Sequence, residues 1–213
     1  MAKAGGGADA VSAPAVARAP RTARGMRTRR ALLDAAAAAF GARGFHETGI
    51  TDITRAAGVA LGSFYTWFDT KEAIFRAVVA DMSERVRDAV APRLAGVEGA
   101  LAREEVALAA FLEVVAANRL LYRIIDEAEF VAADAHRSHY ARTVGRIADR
   151  LRAGVEAGEL RGDVGEVEAW AIAGMNMFLG LRYVLWAEDG DPDPAEVAAR
   201  ANRLLAAGLA RRG

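Results

Sequence analysis

Apolar residues recur every three or four positions along most of the chain, which is the spacing of helices that bury one face. Residues 28–43 begin this pattern, and Gly44 and Gly58 interrupt it at points where helices end. The pattern predicts an all-α fold of about nine helices and no strand, at residues 28–43, 51–57, 61–68, 71–94, 101–118, 120–126, 134–157, 164–188 and 195–211.

The segment at residues 164–188 is the most apolar of these predicted helices. Between Trp170 and Trp186 the only strongly polar residues are Asn176 and Arg182. A helix that is apolar on all sides must be buried on more than one face. We therefore expect one face to pack within its own chain and another to pair with the same helix of a second subunit, which predicts a homodimer.

Residues 51–68 contain two short predicted helices separated by a glycine turn. The second helix opens with the small residues Gly62 and Ser63, and Tyr65 and Trp67 lie near its end. Small residues let a helix approach base edges, and aromatic side chains with polar tips can donate to phosphate oxygens. This layout is typical of a helix-turn-helix, whose second helix enters the major groove of DNA.

Tyr65 and Trp67 have an alternative interpretation, because they could form a small hydrophobic core instead of a DNA contact. Phe64 and Phe68 already occupy the core face at helical spacing. We therefore favour DNA contact for Tyr65 and Trp67.

Charge is unevenly distributed along the 213 residues, although the formal net charge is zero. Residues 1–80 hold 11 Lys and Arg against 6 Asp and Glu, whereas residues 81–213 hold 17 against 22. A basic first part beside an acidic remainder is consistent with a phosphate-binding head. Residues 1–25 lack large apolar side chains and are expected to form a disordered basic arm. This arm is either an inert tail or an additional contact to DNA.

Several classes of function are excluded by what the sequence lacks. The chain contains no cysteine, which excludes disulfides and a cysteine nucleophile and suits a cytoplasmic location. No apolar stretch is long enough to cross a membrane, and no catalytic triad or phosphate loop is found. His136 and His139 could bind a metal at their helical spacing, but no further ligands accompany them. We therefore expect no enzymatic activity, no cofactor, no metal and no membrane partner.

Residues 27–79 strongly resemble the N-terminal domain of TetR-family regulators. The positions that match at fixed spacing are Phe40, Gly44, Phe45, Thr51, Ile53, Ala57, Gly58, Val59, Gly62, Ser63, Phe64, Tyr65, Phe68, Lys71, Glu72 and Phe75. Two positions depart from the family pattern. Ala60 stands where a Ser or Thr usually caps the recognition helix, which costs about 1 kcal/mol, and Thr54 replaces a usual Ala.

The resemblance implies an all-helical homodimer that binds a double-stranded DNA operator, with repression relieved by a small apolar ligand. We divide the chain into a basic arm at 1–25, a three-helix helix-turn-helix domain at 26–70, and a larger helical ligand-binding and dimerisation domain at 71–213. The residues expected to contact DNA are Thr51, Leu61, Gly62, Ser63, Tyr65, Thr66, Trp67 and Lys71.

The C-terminal part carries weaker indications of its ligand. Residues 126–131, followed by His136, His139 and Tyr140, are similar to a subset of the family whose inducers are acyl-CoA or fatty-acid-like molecules. A buried polar group needs a partner, which can be a ligand or an internal hydrogen bond. The candidates for the ligand pocket are Phe111, Tyr122, Glu127, Phe130, Tyr140, Met175, Asn176, Phe178 and Arg182. The candidates for the dimer interface are Trp170, Gly174, Phe178, Leu181, Leu185, Leu204 and Leu205.

These features together favour a ligand-responsive transcriptional repressor that binds a palindromic operator as a homodimer. One rival is a DNA-binding dimer without a small-molecule switch, either architectural or sequence-tolerant. A helical enzyme with a DNA-binding head is the weakest alternative, because no catalytic arrangement is present. A sizeable apolar cavity between the predicted helices at 101–118, 134–157 and 164–188 would favour the ligand-responsive repressor.

Overall fold

The computed structural model describes residues 22–210, which contain nine α-helices and one isolated antiparallel bridge between Leu160 and Ala210. The helices are α1 (Ala23–Arg43), α2 (Ile50–Ala56), α3 (Leu61–Trp67), α4 (Lys71–Val90), α5 (Ala100–Ala117), α6 (Leu120–Val131), α7 (Ala133–Glu156), α8 (Glu166–Gly180) and α9 (Pro194–Leu209). The predicted all-α fold, with an N-terminal helix-turn-helix and a larger helical domain, is confirmed.

Helix α1 begins at Ala23, earlier than the hydrophobic pattern predicted. Its N-cap is Thr22, whose hydroxyl oxygen accepts a hydrogen bond from the Gly25 amide at 3.1 Å. Such a cap stabilises the first turn, and Gly25 also lies against Trp67 at the end of α3. The last residues of the expected disordered arm are therefore helical, and the remainder of that arm, residues 1–21, lies outside the described residues.

Helix α4 has the N-terminus that the sequence indicated but a different C-terminus. Thr70 caps it by accepting a hydrogen bond from the Ala73 amide at 3.1 Å. The helix ends at Val90 because Pro92 has no amide hydrogen and its ring clashes with the preceding turn. The chain continues as one 3₁₀ turn at Ala91–Leu94.

Two further helices depart from their predicted bounds. Helix α6 runs to Val131, one turn beyond its predicted end, and α8 is shorter than predicted at both ends. After Gly180 the chain of α8 forms a single π-helical turn at Leu181–Leu185. A Cβ atom at position 180 would lie well inside contact distance of the Tyr122 hydroxyl. The winding of α8 therefore changes where α6 approaches it most closely.

One hydrophobic core unites the helix-turn-helix with α4 and α6. Its fully buried members include Phe40 from α1, Phe64 from α3, Phe75 from α4 and Ile124 from α6. The rings of Phe40 and Phe75 meet edge to face with centroids 5.1 Å apart. This close-packed core crosses the predicted domain boundary at residue 70, so α4 and α6 pack directly against the helix-turn-helix.

Four charged side chains join α1 to α4 outside that core. Arg30 bonds Asp81 at 2.6 Å and Asp34 at 2.8 Å. Arg85 pairs with Asp81 at 2.7 Å and also with Asp34. A closed network of this kind fixes two helices better than isolated surface pairs do.

Two other cores organise the C-terminal half. The first joins α7 and α8 through residues such as Val144, Leu151 and Ile172, and the second joins α5 and α9 through Leu112 and Val197. Within the part of the chain that the structure describes, no helix has the length and apolar character needed to cross a membrane.

Candidate functional site

The exposed face of α3 carries four of the residues predicted to contact DNA, which are Leu61, Gly62, Tyr65 and Thr66. The opposite face holds Phe64, and Phe68 follows as the C-terminal cap, both completely buried. No protein atom lies within 4 Å of the place where a Cβ at Gly62 would stand. The N-cap is Ala60, which makes no side-chain hydrogen bond, as the sequence indicated.

Two predicted DNA contacts have a different local geometry from the one expected. Thr51 is the second residue of α2, since the helix starts at Ile50 and its N-cap is Gly49, whose amide donates to Asp52 Oδ2 at 3.2 Å. The Asp52 carboxylate therefore satisfies the helix N-terminus, and Thr51 is exposed in its first turn. Ser63 is half-buried rather than part of the exposed face of α3.

Trp67 does not lie on the exposed face of α3, contrary to the expectation of a direct DNA contact. It is half-buried, and its Cη2 atom lies 3.0 Å from the place where a Cβ at Gly25 would stand. Glycine at position 25 therefore lets the first turn of α1 pack on the end of the recognition helix. Trp67 therefore supports the first turn of α1 beside the exposed face of α3.

This packing brings two arginines close to α3 that are not among the DNA contacts predicted from the sequence. Arg24 and Arg27 are exposed in the first turns of α1, and within residues 22–210 neither has an ion-pair partner. The first turn of α1 contains no acidic residue. Unpaired guanidinium groups beside a helix N-terminus attract phosphate. The basic character of residues 18–30 could have indicated these contacts in the sequence. Those residues span the boundary between the predicted arm and the first predicted helix.

Lys71 has a structural role besides its predicted contact with DNA. Its Nζ atom donates to the carbonyl oxygens of Phe45 at 2.9 Å and His46 at 3.4 Å, and it lies 4.3 Å from the centroid of the Phe45 ring. The ammonium therefore ties the loop between α1 and α2 to the start of α4. Lys71 is half-buried in this position.

A cavity of about 250 Å³ lies between α4, α5, α6, α7 and α8. The predicted ligand-pocket residues that line it are Phe111, Tyr122, Tyr140 and Asn176. Its apolar lining includes Val86, Val90, Leu94, Ala107, Val115, Ile125, Ile147, Ala173 and Met177. The cavity involves the three helices named from the sequence and, in addition, α4 and α6.

Three apolar residues predicted to line the pocket lie elsewhere. Phe130 is 86% exposed near the C-terminus of α6, which continues as a helix beyond its predicted end. Phe178 is 64% exposed on the outer face of α8. Met175 packs against the core between α5 and α9. Helical periodicity alone could not show which apolar face of α8 turns inward, since both faces are apolar.

Two charged residues predicted for the pocket make protein contacts instead. Arg182 pairs with Asp191 at 2.6 Å, in the loop before α9. Glu127 accepts hydrogen bonds from the Phe45 amide, which lies 2.8 Å from each carboxylate oxygen. These contacts satisfy both side chains without a ligand.

Helix α6 contacts the helix-turn-helix through both charged and apolar residues. Arg123 donates to the carbonyl oxygens of Gly41 at 3.3 Å and Ala42 at 2.8 Å, at the C-terminus of α1. The Leu120 side chain packs so closely on Gly41 that a Cβ there would lie 2.6 Å from the Leu120 Cβ. Together with Glu127, these residues dock α6 on the end of α1.

Five residues of the lining supply hydroxyl, carboxylate, amide, carbonyl or sulfur atoms to the cavity, and we call them the polar wall. They are Tyr122, Asp126, Tyr140, Asn176 and Met177. The Tyr122 hydroxyl donates to the Met177 carbonyl at 2.8 Å, and the Tyr140 hydroxyl donates to the Met177 sulfur at 2.9 Å. Asn176 Oδ1 is buried and has no hydrogen-bond partner among residues 22–210. Burial raises the pKa of Tyr122, Tyr140 and Asp126.

His139 lies in the cavity lining on the side of α4. Its Nδ1 atom is 2.6 Å from Ser83 Oγ, and the Ser83 hydroxyl lies 3.2 Å from the Val79 carbonyl oxygen. Burial, with smaller contributions from Arg142, His136 and Arg146, lowers the pKa of His139 to about 4. The imidazole is therefore neutral at neutral pH. Among the described residues, no three His, Cys, Asp or Glu side chains are grouped so that they could hold a metal ion.

The predicted dimer residues divide between an exposed face and the protein's own cores. Trp170 is 47%, Phe178 64% and Leu204 69% exposed, and Gly174 lies between the first two on α8. Val167, which is 77% exposed, extends this apolar face by one turn. Leu181, Leu185 and Leu205 are half-buried and pack against the cores of their own chain.

The helix-turn-helix, the core that it shares with α4 and α6, and the cavity define a class of helical DNA-binding regulators. The family model for bacterial regulatory proteins of the tetR family matches residues 32–78. The HTH-type transcriptional regulator YdgC of Bacillus subtilis is 30% identical over 193 residues, which cover 87% of this chain and 94% of YdgC. The chain belongs to the TetR family of transcriptional regulators.

Solved structures share this fold. The fatty acid degradation regulator FadR from Bacillus halodurans has a TM-score of 0.73 at 20% identity, covering 87% of this chain and 97% of FadR. FadR from Bacillus subtilis in complex with stearoyl-CoA has a TM-score of 0.73 at 17% identity, covering 84% of this chain and 98% of that protein. At these identities the likeness shows the fold alone.

Proposed function

We propose that this protein is a ligand-responsive transcriptional repressor that binds a palindromic operator as a homodimer and is released by a small apolar ligand. The observation that carries the proposal is that the helices lining the cavity also hold the helix-turn-helix. Helix α4 contributes Val86 and Val90 to the cavity and Phe75 to the core of the helix-turn-helix, and α6 contributes Ile125 and Ile124 in the same way.

A ligand in this cavity would act on DNA binding through these two helices. Operator binding needs two recognition helices about one DNA turn, roughly 34 Å, apart. If the ligand fits better when α4 or α6 is displaced, it favours a spacing that does not match the operator. It can shift the equilibrium only by its difference in affinity for the two states, typically 1–3 kcal/mol.

The dimer is proposed to form through the exposed apolar face of α8 and α9. Trp170 and Phe178 lie on α8, and Leu204 lies on α9. Exposed apolar side chains grouped on two neighbouring helices are typical of an interface between subunits. Pairing with the same face of a second copy gives a four-helix bundle and places the two helix-turn-helix units symmetrically.

The lining indicates a largely apolar ligand. A cavity of about 250 Å³ is near the lower end of small-molecule sites. Acyl-CoA and fatty-acid-like molecules are one class with the required apolar body. The similarity of residues 126–131 to regulators of that class supports this hypothesis. The B. subtilis structure named above contains stearoyl-CoA, but this is a property of that protein.

The DNA-binding part of the proposal is tested by Tyr65→Phe. The protein would first be used to select its operator from random duplex DNA, and affinity would then be measured for each variant. Loss of one phosphate-directed hydroxyl should weaken binding several-fold across operator variants. Tyr183→Phe makes the same chemical change in the π-helical turn that follows α8 and should leave affinity unchanged. The absence of any selected DNA sequence would contradict the proposed function.

The dimer is tested by Phe178→Asp and Leu204→Asp in sedimentation experiments at micromolar concentration. A buried, unpaired carboxylate in an apolar interface is strongly unfavourable, so both variants should be monomeric and lose operator affinity. Phe130→Asp introduces the same charge at another exposed apolar residue, away from α8 and α9. That control should remain dimeric, and a monomeric unmodified protein would contradict the proposal.

A further inference from the structure

We propose that the ligand of this cavity carries a hydrogen-bond-donating head group, a hydroxyl or an amine, rather than a carboxylate or a phosphate. The inference rests on the proposed ligand site. It keeps the apolar body of the fatty-acid-like class but excludes a fatty-acid carboxylate and the phosphates of acyl-CoA as the group that meets the polar wall. It depends on which polar groups around the cavity already have partners within the protein.

The arginines that line the cavity are paired with carboxylates of the chain. Arg146 bonds Glu84 at 3.1 Å and donates to the Ser83 carbonyl at 3.0 Å. Arg87 pairs with Asp88 at 2.7 Å and also with Glu84. These two guanidinium groups therefore stand beside acids that balance their charge.

Arg150 is paired more completely. Its Nε and Nη2 atoms bond the two carboxylate oxygens of Glu104 at 2.5 and 2.9 Å. Glu104 is 2% exposed and Arg150 is 15% exposed, so the pair is shielded from water. Removing one partner from such a buried pair leaves an uncompensated charge. An anionic ligand would have to compete with Glu104 for this guanidinium.

The remaining basic group in the lining is His139, and it also cannot serve as a cation at neutral pH. Its Nδ1 atom is engaged with Ser83 Oγ, and the burial described above keeps the ring neutral. The described lining therefore offers an incoming anion no cation that is without a carboxylate partner.

The buried polar atom of the lining that lacks a partner is a hydrogen-bond acceptor, not a cation. Asn176 Oδ1 is buried with no hydrogen-bond partner among residues 22–210. Asp126 lines the cavity from an exposed position, where water solvates its carboxylate and its negative charge faces the lining. Glu129 adds a second negative charge near Asp126. The hydroxyls of Tyr122 and Tyr140 already donate to Met177. The polar wall thus presents one buried acceptor that needs a donor, Asn176 Oδ1, together with the negative charge of Asp126.

A hydroxyl or amine on an apolar body satisfies this wall. A hydroxyl can donate to Asn176 Oδ1 and accept from the amide nitrogen of the same side chain, whichever way the amide is turned. An amine can donate to Asn176 Oδ1, and its positive charge is favoured by the Asp126 carboxylate in the same lining. A carboxylate can only accept, so it leaves Asn176 Oδ1 without a donor and adds a negative charge to a lining that already holds Asp126.

The test compares three probes with the same eight-carbon chain, which are 1-octanol, octylamine and octanoate. Their affinities for the full-length protein would be measured by calorimetry at neutral pH and constant ionic strength. We expect 1-octanol or octylamine to bind about 10-fold more tightly than octanoate, the factor that one satisfied hydrogen bond supplies. Asn176→Leu keeps the approximate volume and should abolish the preference for 1-octanol.

A charge-matched pair of variants separates the role of Asp126. Asp126→Asn should reduce the preference for octylamine over octanoate, whereas Glu129→Gln removes the same charge outside the lining and should largely preserve it. Tightest binding by octanoate, or an unchanged preference in Asn176→Leu, would overturn the inference while leaving the ligand site intact. Failure of all three probes to bind would instead contradict the inference together with the proposed apolar-ligand site, while operator binding tests the repressor separately.

Discussion

Gly180→Ala is expected to destabilise the protein even though alanine is the better helix former. Gly180 is the last residue of α8, and its Cα faces the ring of Tyr122 from α6. An alanine Cβ there would overlap the Tyr122 hydroxyl oxygen and lie 3.1 Å from the Cζ atom of the ring. Tyr122 is 8% exposed and its hydroxyl is fixed by the Met177 carbonyl, so it cannot move without losing that bond.

The magnitude follows from three opposing contributions. Helix propensity favours alanine by about 1 kcal/mol. Overpacking of a filled site costs about 1–3 kcal/mol, and loss of the Tyr122–Met177 hydrogen bond costs about 1 kcal/mol. We therefore expect Gly180→Ala to lower the free energy of unfolding by about 1–3 kcal/mol, because the unfavourable contributions together exceed the gain in propensity.

The assay is denaturant unfolding at fixed protein concentration, combined in a double-mutant cycle with Tyr122→Phe. Removing the hydroxyl relieves the closest overlap, so the double variant should be about 1 kcal/mol more stable than the sum of the single changes predicts. Gly145→Ala is the matched control, since a Cβ there meets nothing within 4 Å. It should be neutral or stabilising by up to about 1 kcal/mol. Equal stability of Gly180→Ala and Gly145→Ala would refute the reasoning.

Three further predictions concern charged and titratable groups. The lowered pKa of His139, about 4 in the folded protein against 6.5 when unfolded, means that the stability it contributes is complete above pH 6.5 and is lost as pH falls towards 4. That loss amounts to about 3 kcal/mol, and His139→Gln should flatten this part of a stability–pH curve. Glu104→Gln should cost about 3 kcal/mol in urea unfolding because it leaves Arg150 buried without a counter-charge. Arg27→Ala should lower the salt dependence of operator binding by about one unit of slope. Arg93→Ala, in the 3₁₀ turn that follows α4, should leave the slope unchanged, and equal slopes in the two variants would exclude a phosphate contact by Arg27.

The positions of the nine helices could be predicted because each hides an apolar stripe whose period is a property of the sequence alone. The ends of the helices could not be predicted where contacts between distant parts of the chain decide them. Thr22 and Gly25 start α1 early because Gly25 packs on Trp67, a contact between residues far apart in sequence. Gly180 marks the end of α8 for the same kind of reason, since the close approach of Tyr122 leaves no room for a side chain.

The candidate site shows the same division between local and tertiary information. Tyr65 was recognised as exposed because its neighbours Phe64 and Phe68 fill the core face of α3. The sequence could not tell that Phe178 points outward while Asn176, two residues earlier, lines the cavity, because α8 is apolar on both sides. Choosing between two apolar faces requires the positions of the neighbouring helices.

Glu127 provides the final prediction, which concerns how the cavity is connected to the DNA-binding end. Its carboxylate accepts from the Phe45 amide with both oxygens at 2.8 Å, and Phe45 is 5% exposed in the core of the helix-turn-helix. One residue earlier in α6, Asp126 belongs to the polar wall of the cavity. Adjacent residues of one helix therefore face the ligand site and the helix-turn-helix.

If α6 transmits the displacement, Glu127→Ala should reduce the coupling between ligand and operator more than it reduces affinity for either one alone. In the unmodified protein the two should weaken each other's binding by the same factor, typically 5- to 150-fold. The measurement is the affinity for the tightest-binding octyl probe with and without saturating operator. Glu129→Gln, on the same helix but away from Phe45, is the control. An undiminished ratio in Glu127→Ala would show that coupling runs through α4, which reaches both sites without passing through α6.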